Sequence, residues 1–168
     1  MNRMKSPIYV YIALVVLLAL TSCFKEERTP PVEDTLKKVV TRYNYALIDA
    51  YGRQIYDTLR EVTSPDELRR VGIIVSSYYQ ADQIMEAKLH KLLFKKVDVN
   101  GNRATVDTVE DWSYRWINYK SGEVVEPLKQ IHYRMRYHLI KDREKGWVVD
   151  RVEEVEHRLK ESSSRVER

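Results

Sequence analysis

The sequence predicts an α+β domain, with N-terminal helices packed in the concave face of a curved four-stranded antiparallel sheet. Three observations carry this reading. Apolar residues recur at helical spacing from Leu36 to Ala81. From about Lys88 the period changes to two. Turn signals at Asn100-Gly101, Lys120–Glu123 and Asp142–Gly146 then divide the second half into four strands. Helices followed by strands in a chain of 168 residues fit one α+β domain. Strands of about 10 to 17 residues must twist and curl, and helices lodged on the concave side make a cone.

Ahead of that domain, Arg3 and Lys5 precede an apolar run, Ile8–Leu20, that includes Tyr9 and Tyr11. About 13 residues span roughly 20 Å as a helix, short of a hydrocarbon core of about 30 Å. A positive start, a short apolar run and small residues are the layout of a secretory signal peptide, expected here over residues 1–22. Leu20-Thr21-Ser22-Cys23 closes the run and resembles the lipobox of bacterial lipoproteins. The resemblance implies cleavage before Cys23, a diacylglyceryl thioether on its sulfur and usually an acylated amine. The other reading is an uncleaved signal anchor with an incidental cysteine. One acyl chain holds a protein only marginally, so two or three are needed for a stable membrane anchor. The domain would then face the periplasm or the cell exterior. Phe24, where an aspartate would favour inner-membrane retention, favours the outer membrane in a double-membraned cell.

Loss of Arg3 and Lys5 with the leader leaves about 146 residues and a net charge of about +2. That balance is no footprint for nucleic acid. Cys23 is the chain's single cysteine, so once lipidated it leaves no thiol for a disulfide, metal site or redox pair. Five glycines argue against a low-complexity chain.

Residues 23–33 read as the lipidated cysteine and an extended tether, held open by Pro30-Pro31. Asp34 is the expected cap of a first helix carrying Leu36, Val39, Val40, Tyr43, Ala46, Leu47 and Ala50, with Gly52 as its break. A second helix is expected over Gln54–Val62. Ser64-Pro65-Asp66-Glu67 reads as a capping box, with Glu67 reaching back, that opens a third helix running to about Met85. Gly72 inside that helix costs up to about 1 kcal/mol, which predicts a closely packed neighbour. Lys88–Val99, Arg103–Tyr119, a strand after Pro127 and Trp147–Val155 are the expected strands. In the third, Ile131, Tyr133, Met135, Tyr137 and Leu139 share one face, and His132, Arg134, Arg136 and His138 the other. The domain is thus expected over 34–157, with a charged tail at 158–168.

Three segments carry a family resemblance: Arg103-Ala104-Thr105-Val106-Asp107, Tyr133-Arg134-Met135-Arg136-Tyr137-His138-Leu139 and Gly146-Trp147-Val148-Val149-Asp150. They resemble the nuclear-transport-factor-two-like cone superfamily, and within it the intermembrane-space domain of plastid and cyanobacterial division proteins. The match covers roughly 88–155, with the helices agreeing only in layout. The resemblance implies the cone fold and contact with another protein rather than catalysis. Cone domains serve isomerases, dehydratases and interaction modules alike, so fold alone does not set function.

The strand faces supply the candidate sites. Thr108 and Glu110 share a face with Ala104, Val106, Trp112, Tyr114 and Trp116. A carboxylate in an apolar cavity is a candidate general base, whereas near the rim Glu110 would pair with a lysine or arginine. No tyrosine-plus-acid catalytic set matches residue by residue. Trp112, Tyr114, Trp116, Tyr133 and Tyr137 either line a pocket for a flat apolar ligand or fill the core. His132, Arg134, Arg136 and His138 either form an interaction face or pair with acids such as Asp107 and Asp111. The histidines His132 and His138 lie about 20 Å apart, too far for one metal ion. No cofactor motif is present. The leading expectation is a lipid-anchored, non-enzymatic domain that contacts an envelope protein or a second copy of itself. A small-molecule pocket is the alternative, and a cavity enzyme the weaker one. An open cavity with a polar foot would favour the last two; a filled cone would favour the first.

Overall fold

The computed structural model describes residues 31–159. The expected leader, Cys23, the tether up to Pro30 and the last nine residues lie outside the described residues. No described helix is long and apolar enough to cross a membrane.

Helix α1 (Val32–Arg53) begins two residues before the expected cap. Pro31 starts it: its φ of −49° is already near helical, and its carbonyl accepts from Asp34 and Thr35 at 2.9 and 3.2 Å. Asp34 lies in the first turn with Glu33, where carboxylates oppose the helix dipole, and neither supplies a side-chain cap. Gly52 does not end the helix. The chain runs on to Arg53 and closes at Gln54, in left-handed conformation at φ 57°, whose N–H bonds the Ala50 carbonyl. Gly52 instead allows a close approach: a Cβ there would sit 3.2 Å from the carbonyl oxygen of Met85.

The left-handed Gln54 delays helix α2 to Asp57–Val62. Helix α3 (Pro65–Gln80) opens with Ser64 Oγ accepting from the Glu67 N–H at 3.2 Å. The other half of the expected capping box is missing, because the Ser64 N–H donates to the Val149 carbonyl at 2.9 Å. The Glu67 side chain is therefore free to turn inward. Helix α3 stops at Gln80, five residues before Met85, as Asp82 takes a positive φ of 59° and turns the chain into the sheet. Nothing lies within 4 Å of a Cβ built on Gly72, so the expected close neighbour is absent.

The sheet is antiparallel in the order β1-β2-β3-β4: Gln83–Asn100, Arg103–Asn118, Val124–Asp142 and Gly146–Leu159. Asn100 pairs with Arg103 across the hairpin, with Gly101 at φ 58°. Strand β1 starts at Gln83, where Met85 and Ala87 already alternate inward, five residues ahead of Lys88. Strand β3 starts before Pro127 rather than after it. Tyr114 pairs with Lys129 and Trp116 with Glu126, so Pro127 and Leu128 face the single residue Arg115 in a bulge. A proline is tolerated there because a bulge asks no ladder N–H of it. Strand β4 continues to Leu159, so Arg158 pairs with His132 in the sheet instead of opening a tail.

The helices lie on the concave face, as the α+β cone reading requires. Leu36, Val40, Ala46 and Ala50 of α1, with Leu59, Val62, Val71 and Val75 behind them, meet Val106, Tyr137, Leu139 and Val149 of the sheet. Thr63 bridges Val149, which fixes the α2–α3 junction to β4. This core lies against the start of β2, the end of β3 and the start of β4.

Candidate functional site

Further along β2 and β3, away from that core, the packing opens. On β2, Thr108, Glu110, Trp112 and Tyr114 continue the inward face, opposite Met135, Tyr133, Ile131 and Lys129 of β3. Between that face and helices α1 and α3 lies a cleft of about 540 Å³, within the range of small-molecule sites. Glu110, Trp112, Tyr114, Trp116, Tyr133 and Tyr137 all border it. On its exposed side Ile74 and Tyr78 of α3, which are 40% and 37% exposed, border it. Its foot is buried: Glu110 is 2% exposed, Asn44 1% and Tyr137 1%.

The foot is polar and hydrogen-bonded. Glu110 Oε1 accepts from Tyr137 Oη at 2.6 Å, from Thr108 Oγ1 at 2.6 Å and from Asn44 Nδ2 at 3.5 Å. Glu110 Oε2 accepts from Trp112 Nε1 at 2.7 Å. Tyr137 has one proton, and the short contact to a carboxylate claims it. Asn44 Nδ2 then donates to the tyrosine oxygen at 3.0 Å. Burial, and then the charge and hydrogen bond of Glu110, push the Tyr137 hydroxyl well above its ordinary value.

A second carboxylate borders the same cleft. Glu67, 3% exposed, accepts from Tyr43 Oη at 2.6 Å and from Arg70 at the rim. Burial raises the pKa of Glu67; the hydrogen bond from Tyr43 and the charge of Arg70 pull the other way. Burial and Glu67 together push Tyr43 well upward. Tyr43 and Tyr137 meet edge to face with centroids 5.9 Å apart, so the two tyrosine–glutamate pairs form one floor.

The aromatics divide between wall and core. Trp116, 8% exposed, is stacked by Tyr78 at 3.9 Å and met edge-on by Tyr51 at 6.3 Å. Tyr137 is wholly enclosed, and Trp112, Tyr114 and Tyr133 are half-buried along the cleft. Sequence reasoning missed Tyr43, Asn44, Glu67 and the Tyr137–Glu110 pair. Asn44 did leave a signal: it is a polar residue in the apolar stripe of Val40 and Leu47. Glu67 left none, since it also reads as a capping residue.

His132, Arg134, Arg136 and His138 share the convex face, each beside an acid. Arg136 bonds both oxygens of Asp107 at 2.7 and 2.9 Å, and His132 Nδ1 lies 2.7 Å from Asp111. Arg134 and His138 turn the other way, to Glu156 at 3.3 Å and Glu153 at 3.1 Å on β4. A hollow of about 560 Å³ beside β1 is bordered by Ile48, Gly52, Lys88 and Ser113. Its buried Ser113 is bonded to His90 at 2.7 Å, and its Arg115 to Glu86 at 2.6 Å. Among the described residues no group of three or more metal-ligating side chains converges.

No protein-family model and no curated protein sequence matches the chain. Solved structures do. The intermembrane-space region of the chloroplast protein ARC6 superposes with a TM-score of 0.65 at 20% identity, over 72% of this chain and 94% of that one. A nuclear transport factor 2-like superfamily protein from Salmonella enterica serovar Typhimurium gives 0.54 at 13% identity, over 80% and 96%. The Kfla4162 protein from Kribbella flavida gives 0.50 at 11% identity, over 76% and 95%. At these identities the likeness is one of fold, and the fold of this chain is the nuclear transport factor 2-like α+β cone.

Proposed function

We propose that this protein is a lipid-anchored cell-envelope protein whose cone domain binds a small, largely aromatic molecule without transforming it. The observation that carries the binding half is the cleft. Its aromatic walls run from an exposed mouth to a buried, hydrogen-bonded foot. The hydrogen bonding supports binding over catalysis. A general base needs, besides a lone pair that reaches the substrate, a partner free to follow the proton. Here Tyr137, Thr108 and Asn44 converge on one oxygen of Glu110, and the Tyr137 proton is committed to that carboxylate. Glu110 acts as a held charge rather than a mobile base. The anchoring half rests on Leu20-Thr21-Ser22-Cys23.

A second reading, contact with an envelope partner or a second copy, is favoured by α3, which exposes Ile73, Ile74, Tyr78 and Tyr79 side by side. Such a partner would sit at the cleft mouth.

Native mass spectrometry of the full-length protein, extracted gently from its own membranes, tests both halves. The expected species begins at Cys23, carries acyl mass and retains one small molecule. An intact mass from Met1 to Arg168 would overturn the anchor. A lipidated protein that holds only a protein subunit would overturn the binding reading in favour of the second.

A further inference from the structure

We infer that the cleft selects an organic cation: a flat aromatic body bearing an ammonium group that reaches Glu110. This rests on the ligand-binding reading above and names the chemistry of its ligand.

The argument begins with charge. Three carboxylates, Glu67, Glu110 and Glu154, border the cleft against one guanidinium, Arg70. Arg70 sits at the rim and is already held by Glu67. Glu154, also at the rim, is bonded to His157 at 2.5 Å. Glu110 is different. The four groups that reach it, from Tyr137, Thr108, Asn44 and Trp112, are all neutral, and no cation among the described residues pairs with it. Neutral donors lower the cost of a buried carboxylate but leave its net charge in place, and a buried charge gains most from an opposite one.

Hydrogen-bonding capacity points the same way. A carboxylate offers about four acceptor sites, two on each oxygen. Oε1 is crowded by three donors, whereas Oε2 has Trp112 Nε1 alone. One site on Oε2 remains for an incoming N–H. A ligand carboxylate there would meet only repulsion.

The walls suit such a guest. Trp112, Tyr114 and Tyr133 line the cleft, and aromatic rings attract cations. After burial, Tyr114 does most to raise the Tyr133 hydroxyl, with Glu154 and Glu110 behind it; for Tyr51, which reaches about 12, Tyr78 comes before Glu67. The carboxylates thus add to the resistance of these hydroxyls to ionisation, and the same charges attract a cation.

The test is a charge series on one ring: tryptamine, tryptophol and indole-3-acetate, titrated into the full-length detergent-solubilised protein and followed by saturation-transfer NMR. The expected order is tryptamine, then tryptophol weaker by about tenfold or more, then no detectable indole-3-acetate. Glu110→Gln should bring tryptamine and tryptophol to equal affinity, while Glu154→Gln at the rim should preserve their order. Equal binding of tryptamine and tryptophol by the wild type, or a preference for indole-3-acetate, would overturn the cation inference and leave the ligand-binding reading standing. Binding of none of the three would overturn the inference for aromatic amines; retention of a different small molecule in the native mass spectrum would still sustain the binding reading. Should Glu110→Gln fail to fold by circular dichroism, the wild-type series alone decides.

Discussion

Tyr137→Phe probes the foot of the cleft with little change of shape. The ring stays in the core, still edge-on to Tyr43, and only the hydroxyl is lost. That hydroxyl donates at 2.6 Å to a carboxylate that is 2% exposed. A hydrogen bond to a charged group is worth about 1.5 to 3 kcal/mol. Asn44 Nδ2 also loses its 3.0 Å acceptor, and a buried donor left short costs about 1 kcal/mol more. The expected destabilisation is therefore about 2 to 4 kcal/mol, a large share of a domain stability of about 5 to 15 kcal/mol. Urea unfolding followed by tryptophan fluorescence reads this directly. With m near about 2 kcal/mol/M, the midpoint should fall by about 1 to 2 M at unchanged slope. A double-mutant cycle with Glu110→Gln should return a coupling of at least about 1 kcal/mol. A loss below about 0.5 kcal/mol, or no coupling, would refute the view that Tyr137 holds the charge of Glu110.

Other perturbations test separate parts of the account. Gly72→Ala should stabilise the protein by about 0.5 to 1 kcal/mol, since a Cβ there meets nothing and helix propensity is gained; a lower urea midpoint would contradict that. Glu67 has a folded pKa above its unfolded value, so its contribution is full below the usual carboxyl range and fades as pH rises through the raised value. The wild type should therefore lose stability relative to Glu67→Gln as pH rises above the usual carboxyl range; the opposite slope would mean that Tyr43 and Arg70 outweigh burial. Cys23→Ser should leave the protein unacylated and change its membrane partition in cell fractionation. Acyl mass on the serine variant would show that the anchor lies elsewhere.

Much of the fold is legible in the sequence because a sheet with one face buried must alternate. Ile131 to Leu139 does so without interruption, and the hairpin signal at Asn100-Gly101 is off by only one residue: Asn100 pairs with Arg103, and Gly101 and Asn102 form the two-residue loop. The same alternation places Glu110 beside Trp112 on the inward face. The elements that resist reading are those whose local signal has two physical meanings. Gly52 looks like a helix stop, yet it serves a helix–strand approach that only the tertiary packing creates. Glu67 looks like half a capping box, yet the Val149 carbonyl takes the Ser64 N–H and frees the carboxylate for the cleft. Pro127 looks like a strand boundary, yet a bulge accommodates it. The helical contributions to the foot, Tyr43 and Asn44, depend on how α1 is rotated over the sheet. That rotation is set by the core as a whole. An open or a filled cone uses the same tryptophans and tyrosines, so composition does not separate them.

The central claim is that the cleft over Glu110 is a site and not a core. The most direct measurement is a crystal structure of the protein grown with tryptamine. The account predicts the indole between Trp112 and Tyr133 and the ammonium within about 3 Å of Glu110 Oε2. A cleft closed by Ile74, Trp112 and Tyr133 in contact across it, with no room for a guest, would contradict it.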